Sequence, residues 1–247
     1  MTRVWIHGLS GRMGGEIKAA LAGRKDLTYA GGSDKDSPID LHAADLYLDF
    51  STPDGNLRML DAFLAAKGLA RRSILIGTTG LSSDSQSLWR TFAAKAGHAL
   101  LLAPNTSVGV LVVAKTAQML ARTMTGLHYD IEITETHHRG KTDAPSGTAL
   151  LLADAVHQGV KTLSPVFARE GARKAGEIGI SSVRGGGIFG EHEVRLIGDA
   201  DEVRLSHRAF SRALFADGAL VLGAWLSHQK PGFYELLDVD LESLTTR

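Results

Sequence analysis

Cysteine is absent from all 247 residues, which excludes disulfides, thiolate catalysis and cysteine-held zinc. Net charge is absent as well. The 27 Lys and Arg balance the 27 Asp and Glu, so the chain lacks the basic excess of a nucleic-acid binder, although a small anion needs only a few local cations. No apolar run approaches the roughly 18 residues that cross a bilayer. The N-terminal MTRVWIHG enters a strand-like run at once, without the apolar stretch and cleavage site of a secretory signal. These absences predict a cytoplasmic protein with neither a nucleic-acid nor a membrane partner. What is present is ordinary for a globular protein, with 44% hydrophobic and 22% charged residues. The length suits one large domain or two modest ones.

The first hundred residues alternate short apolar strands with helical patterns. Strand-like runs lie at 4–7, 27–32, 46–50, 73–77 and 99–103. Helical spacing relates Met13, Ile17, Ala20 and Leu21, and later Leu57, Leu60, Phe63 and Leu64. Such alternation predicts a parallel sheet covered on both faces. The pattern changes after Pro104. An apolar helix is expected over 108–122, and YDIEITET (129–136) alternates with period two. A helix over 149–157 stops at Gly159, meander or antiparallel strands lie near 178–184, 192–198 and 202–208, and an apolar helix covers 214–228. In the last three strands, Val194, Leu196 and Ile197 are expected on a free edge that joins subunits. The fold class is α/β: a Rossmann-like domain followed by an α+β domain.

The turn after the first strand reads Gly8-Leu9-Ser10-Gly11-Arg12-Met13-Gly14. Glycines there let a backbone approach a pyrophosphate at a helix start, although the spacing G-x-x-G-x-x-G differs from the usual G-x-G-x-x-G. Asp34 stands about 20 residues further on, where an acid receives ribose hydroxyls. Lys35 beside it suits a 2′-phosphate, so NADH and NADPH both remain open as cofactors. Gly77-Thr78-Thr79 and Ala103-Pro104-Asn105-Thr106 follow two later strands and are expected on the same binding edge.

The stretch ETHHRGKTDAPSGTA (135–149) concentrates polar chemistry. It is not a phosphate-binding P-loop, because Glu135 stands where the earlier glycine is needed. Glu191-His192-Glu193 is not a zinc-protease motif, because Leu196 replaces the second histidine. On an extended strand His137 and His138 point to opposite faces, so the two do not chelate one metal, and no metal is expected. What remains is proton transfer beside an anion pocket. Histidine exchanges protons near neutral pH, Lys141 supplies positive charge, and Asp143 is placed to hold either Lys141 or the turn. Ser146 is positioned to cap a helix whose first amides, at Gly147 and Thr148, face an anion.

Those residues, with Gly11-Arg12-Met13-Gly14, Asp49-Phe50, Gly77-Thr78-Thr79-Gly80, Asn105, Ser107-Val108-Gly109, Arg169-Glu170-Gly171, Gly190-Glu191-His192 and Ser211-Arg212 with Phe215, resemble the dihydrodipicolinate reductase family along nearly the whole chain. The resemblance implies NADH- or NADPH-dependent reduction of a cyclic imine dicarboxylate in lysine biosynthesis. It implies a dinucleotide-binding domain over 1–106 and 212–247, and a substrate-binding domain over 107–211 that assembles a homotetramer. It assigns His137 as proton donor or acceptor, Lys141 as the second catalytic group, and His138, Ser146, Gly147 and Thr148 to the substrate. Arg212 and Phe215 fall with the cofactor residues. Thr52 and Thr106 depart from an arginine and an aromatic found in some relatives. Two other readings use the same glycine turn: a different imine or aldehyde reductase, and a non-catalytic dinucleotide sensor.

Overall fold

The computed structural model describes residues 1–244; the last three residues of the 212–247 segment lie outside the described residues. The chain divides into two compact units, one made of residues 1–107 and the segment from Arg212 onward, the other of residues 108–211. In chain order the elements are β1 (Thr2–His7), α1 (Arg12–Leu21), β2 (Leu27–Ser33), β3 (Leu46–Asp49), α2 (Pro53–Ala65), β4 (Ser73–Ile76), α3 (Ser83–Ala96) and β5 (Ala99–Leu102). The second unit holds α4 (Val108–Met124), β6 (Asp130–His137), α5 (Gly147–Gly159), β7 (Ser164–Phe167), β8 (Glu177–Arg184), β9 (Glu191–Ile197) and β10 (Glu202–Arg208). The chain then returns to the first unit through α6 (Ala213–Ser227) and β11 (Gly232–Glu235).

The first sheet is parallel throughout, in the order β11-β5-β4-β3-β1-β2. Its central strands read as unbroken apolar runs because helices cover both faces. On one side Tyr47, Ile74, Ile76 and Leu100 pack with Met59, Leu60 and Phe63 of α2 and with Trp89 and Phe92 of α3. On the other, α6 lies across β3, β4 and β5 beside α1. The structure thus has the Rossmann-like plan expected from the strand and helix alternation, completed by an edge strand from the C-terminal segment.

The second sheet has the order β10-β9-β6-β8-β7. Two expectations fail here. β8 is not an antiparallel piece: it runs parallel to β6 and to β7, while β9 and β10 are antiparallel to their neighbours. The reason is α5, which carries the chain back from the end of β6 to the start of the strands beyond it, as parallel pairing requires. Nor do Val194, Leu196 and Ile197 lie on a free edge. β9 is an interior strand, and Val194 and Leu196 are fully buried. The outer strand β10 instead carries Glu202, Arg204 and Arg208, charges that discourage stray pairing. α5 also begins earlier than the apolar pattern indicated, at Gly147, because Ser146 caps it.

Candidate active site

Because the strands of the first sheet are parallel and in register, their last residues stand in one row. His7 is opposite Ser33 and Asp49, Asp49 is opposite Ile76, and Ile76 is opposite Leu102. The segments that follow therefore share one edge: Gly8 to Met13, Asp34 with Lys35, Gly77 to Thr79, and Ala103 to Thr106. β1 lies between β2 and β3, so the glycine turn leaves the sheet where the strand order reverses, the crevice in which such sheets bind ligands.

The turn is built for close approach. Gly8 has φ +85°, and a Cβ on it would stand 2.6 Å from the Phe50 carbonyl oxygen. A Cβ on Gly14 would stand 2.3 Å from the Gly8 carbonyl oxygen. α1 starts at Gly11 with no side-chain cap. Asp34 fastens the turn, its Oδ1 accepting from both the amide and the hydroxyl of Ser10 at 2.9 Å. Lys35 is exposed just beyond. These features fit a dinucleotide whose pyrophosphate lies against the turn.

Behind this edge is a buried carboxylate. Asp49 is fully buried and accepts from the Ser51 amide (3.1 Å) and hydroxyl (2.5 Å), Asn56 Nδ2 (2.7 Å) and Thr78 Oγ1 (2.9 Å). The Thr78 hydroxyl is therefore turned into the protein, and only its backbone remains for a ligand at the edge. Asn56 also accepts from the Trp89 indole at 2.7 Å, which anchors the network in the core. Thr106 donates to the Phe215 carbonyl at 2.7 Å, and the Phe215 amide bonds the Arg212 carbonyl at 3.0 Å. The start of α6, with Arg212 and Phe215, is thereby brought to Thr106. The Asn105 side chain bonds the Ser107 amide at 2.9 Å.

In the second unit the pleat of β6 does the positioning. Ile131, Ile133, Glu135 and His137 alternate onto the buried face. His138, one residue later, is half-buried, and its amide bonds the Ile188 carbonyl at 2.8 Å. The two histidines thus take different environments, His137 at the buried end of β6 and His138 just past it. His137 Nδ1 lies 2.5 Å from Glu135 Oε2, while its Nε2 lies beside Gly190, where an added Cβ would come within 2.9 Å. Lys141 pairs with Asp143 at 2.8 Å, an ion pair that holds Asp143 below the usual carboxylate range. Ser146 accepts from the Ala149 amide at 3.2 Å and pairs through Oγ with His192 Nε2 at 3.1 Å. Gly147 is exposed and Thr148 half-buried on the first turn of α5.

Burial sets the electrostatics. It drives His192 down to about 3, with the neighbouring His137 adding to the effect, so that ring is neutral at physiological pH. Burial also lowers His137, opposed by Glu135 and reinforced by the charges of Lys141 and Arg184. Burial alone would raise Glu135; the hydrogen bonds from Arg184, Ser182, His137 and the Ser146 amide outweigh it and hold the carboxyl at about 2. Glu135, His137 and His192 offer ligand atoms within 4.8 Å of one another. Arg184, however, covers both carboxylate oxygens at 2.8 and 2.6 Å, and its fixed charge opposes a cation there. Glu135, His137, Ser146 and His192 are joined in one hydrogen-bonded network.

Sequence reasoning gave no role to Glu135, Arg184, His192 or Asp49. One signal for the first was available. The alternation that buries Ile131 and Ile133 also turns Glu135 inward beside His137, and an inward acid needs partners.

A family model described as "Dihydrodipicolinate reductase, N-terminus" matches residues 2–106, and one described as "Dihydrodipicolinate reductase, C-terminus" matches residues 109–239. The chain belongs to the dihydrodipicolinate reductase family. The 4-hydroxy-tetrahydrodipicolinate reductase of Zymomonas mobilis is 38% identical over 253 residues, and that of Caulobacter vibrioides 36% identical over 252, each match covering 96% of both chains. Among solved structures, dipicolinate-bound dihydrodipicolinate reductase from Paenisporosarcina sp. TG-14 matches with a TM-score of 0.74 at 24% identity, covering 97% of this chain and all of that one. The DAP dehydrogenase of C. glutamicum shares the fold, with a TM-score of 0.60 at 12% identity. In this family the N-terminal domain binds the dinucleotide, and NADH or NADPH is the reductant. Among the described residues, no helix is long and apolar enough to cross a membrane.

Proposed function

We propose that the chain reduces the cyclic imine dicarboxylate 4-hydroxy-tetrahydrodipicolinate, by way of its dehydrated ring, in lysine biosynthesis. The observation that carries this reading is the inward pair Glu135–His137 beside Lys141 and the Ser146-capped start of α5, in a chain of this family. The edge of the first unit, from the Gly8–Met13 turn through Asp34, Lys35, Gly77–Thr79 and Ala103–Thr106 to Arg212 and Phe215, holds the cofactor. When bound, the reduced nicotinamide supplies a hydride to one end of the conjugated C=C–C=N system. The electron pair moves toward nitrogen, and the carbon beside the imine carbon then takes a proton.

The chain's own residues serve the two remaining needs. Lys141, His138 and the amides of Gly147 and Thr148 hold a substrate carboxylate, with charge-assisted bonds worth roughly 1.5–3 kcal/mol each. His137 gives the proton from Nε2: that N–H bond breaks, a C–H bond forms, and the neutral ring is recharged from solvent. A positioned acid of this kind contributes about 10²–10⁴ in rate. Lys141 keeps its second role as charge or acid. A sensor would need no proton carrier beside an anion site, and a reductase for a simple aldehyde would not need the carboxylate cradle.

The test is turnover of the ring produced by dihydrodipicolinate synthase, followed by loss of reduced nicotinamide. We expect His137→Gln to lower kcat by about 10²–10⁴ while dicarboxylate inhibitor affinity stays within a few-fold. Lys141→Ala should lower both. Near-full turnover by His137→Gln would remove His137 as the proton carrier. We further infer a cytoplasmic homotetramer. The supporting feature is the second sheet, whose helices α4 and α5 pack against β6, β8, β9 and β10 while Ser181, Ser182 and Val183 of β8 stay exposed. Light scattering that gave a stable 26.3 kDa particle at micromolar concentration would contradict it.

A further inference from the structure

Glu135 is wholly buried, and although it pairs with His137, the steps above give it no task of its own. A carboxylate in such a place must have every lone pair answered, and the answers come from three directions. Oε2 accepts from His137 Nδ1 at 2.5 Å and from Arg184 Nη1 at 2.8 Å; Oε1 accepts from Arg184 Nη2 at 2.6 Å and from the Ser146 amide at 3.1 Å. Arg184 ends β8 and sits opposite His137 in the parallel register. It also donates to the Asp143 carbonyl at 2.7 Å, next to the Lys141 ion pair.

We propose that Glu135 is a positioning residue that fixes His137 with its proton on Nδ1, so that Nε2 exchanges protons with the substrate. The same carboxylate ties that ring to the helix start that receives the substrate carboxylate. This rests on the reading of His137 as the proton carrier. The chemistry is one-directional. An ionised carboxylate can only accept, so the hydrogen shared with Glu135 belongs to Nδ1, and the tautomer is set by the partner rather than by the ring. Ring orientation follows too, because Glu135 and His137 are two residues apart on one face of β6. By holding the Ser146 amide, Glu135 keeps the anion-binding turn in register with the proton site. One buried group aligns both halves of the chemistry.

The groups that face His137 are Glu135 on its own strand, Arg184 from β8, His192 from β9 at a ring-centroid distance of 5.0 Å, and Lys141 from the following loop. Burial and the two cations disfavour the charged ring, and His192 is neutral. Glu135 alone favours the charged form. Removing its charge therefore moves the protonation midpoint of His137 to lower pH.

The experiment uses the full chain labelled with ¹⁵N-histidine, assigned by comparison with His137→Gln, and reads tautomer and midpoint by NMR without substrate. In the wild type we expect the His137 proton on Nδ1 at neutral pH. In Glu135→Gln we expect mixed tautomers, a midpoint at lower pH, and kcat lower by roughly 10²-fold with a smaller change in KM. The alkaline limb of kcat/KM should move to lower pH with the midpoint. Because Glu135 acts through His137, Glu135→Gln added to His137→Gln should cost little further rate. Glu135→Asp retains the charge and should restore the midpoint toward the wild-type value, even where the shorter side chain leaves turnover low. A wild-type ring protonated on Nε2 would overturn the proposal whether or not the variants fold. So would a Glu135→Gln protein with an unchanged tautomer and midpoint. Full turnover by His137→Gln, in contrast, would overturn the proton-carrier reading and leave the NMR result standing as a separate fact.

Discussion

Two helices of this chain begin at turns suited to anions, and they begin in opposite ways. α1 starts from Gly11 without any side-chain cap, on a turn where Gly8 and Gly14 leave no room for a Cβ. α5 starts from Ser146, whose hydroxyl caps the Ala149 amide and also holds His192. The first start is left for its ligand to complete, and its shape is fixed from behind by Asp34 and by helix-on-strand packing. The second is already completed by the protein, because the same turn must stay aligned with His137 through Glu135 when no substrate is present. A binding turn can leave its cap to the ligand; a turn coupled to catalysis keeps its own.

That contrast can be broken at either end. The largest effect is expected at Gly14. Alanine there places a Cβ against the Gly8 and Leu9 backbone, at 2.3 and 2.6 Å from their carbonyl oxygens, and no side chain can yield to relieve it. NADH affinity measured by fluorescence titration should fall by ~100-fold or more, about 2.7 kcal/mol, while inhibitor binding to the second unit persists. An unchanged Kd would show that the turn is not the cofactor cradle. Ser146→Ala should be milder. Losing the cap costs about 1 kcal/mol, and stranding the buried His192 nitrogen adds roughly 1–3 kcal/mol. The expected signs are earlier denaturation and several-fold weaker dicarboxylate binding with NADH affinity intact. Equal stability would mean that the cap is dispensable and the contrast false. The smallest effect is expected at Lys35, where alanine should weaken NADPH more than NADH by less than about tenfold, or ~1.4 kcal/mol. Equal loss for both cofactors would mean that Lys35 does not meet the 2′-phosphate.

Local patterns carried most of the fold into view. β1, the glycine turn and α1 follow from a buried apolar strand meeting closely spaced glycines, and β6 follows from strict alternation. The two short strands β7 and β11 were illegible for a common reason. β7 is mostly exposed and contains Pro165, and β11 begins at Gly232 after Pro231 and is only half-buried, so neither shows an apolar rhythm. The parallel pairing of β8 was hidden because alternation reports which face is buried and not which way a neighbour runs. In the site, His137, Lys141 and Ser146 announced themselves by type and spacing. Arg184 did not, and His192 stood out only within the Gly190-Glu191-His192 motif, without a role. They lie 49 residues from Glu135 and 46 from Ser146 respectively, and only the sheet brings them there.

The discontinuous first unit has a consequence for the order in which the newly made chain can become complete. Strand β5 has β4 on one side, and its other side waits for β11, which is synthesised some 130 residues later. The apolar surface of β3, β4 and β5 likewise waits for α6. While the ribosome is still making the second unit, residues 1–107 present an unpaired strand edge and a bare hydrophobic face. The second unit, drawn from one uninterrupted segment, is fully made before the first receives its last pieces. The early half of the molecule is thus the one that depends on its final residues, and a release of the chain before α6 and β11 emerge would yield a sticky fragment rather than a smaller working domain.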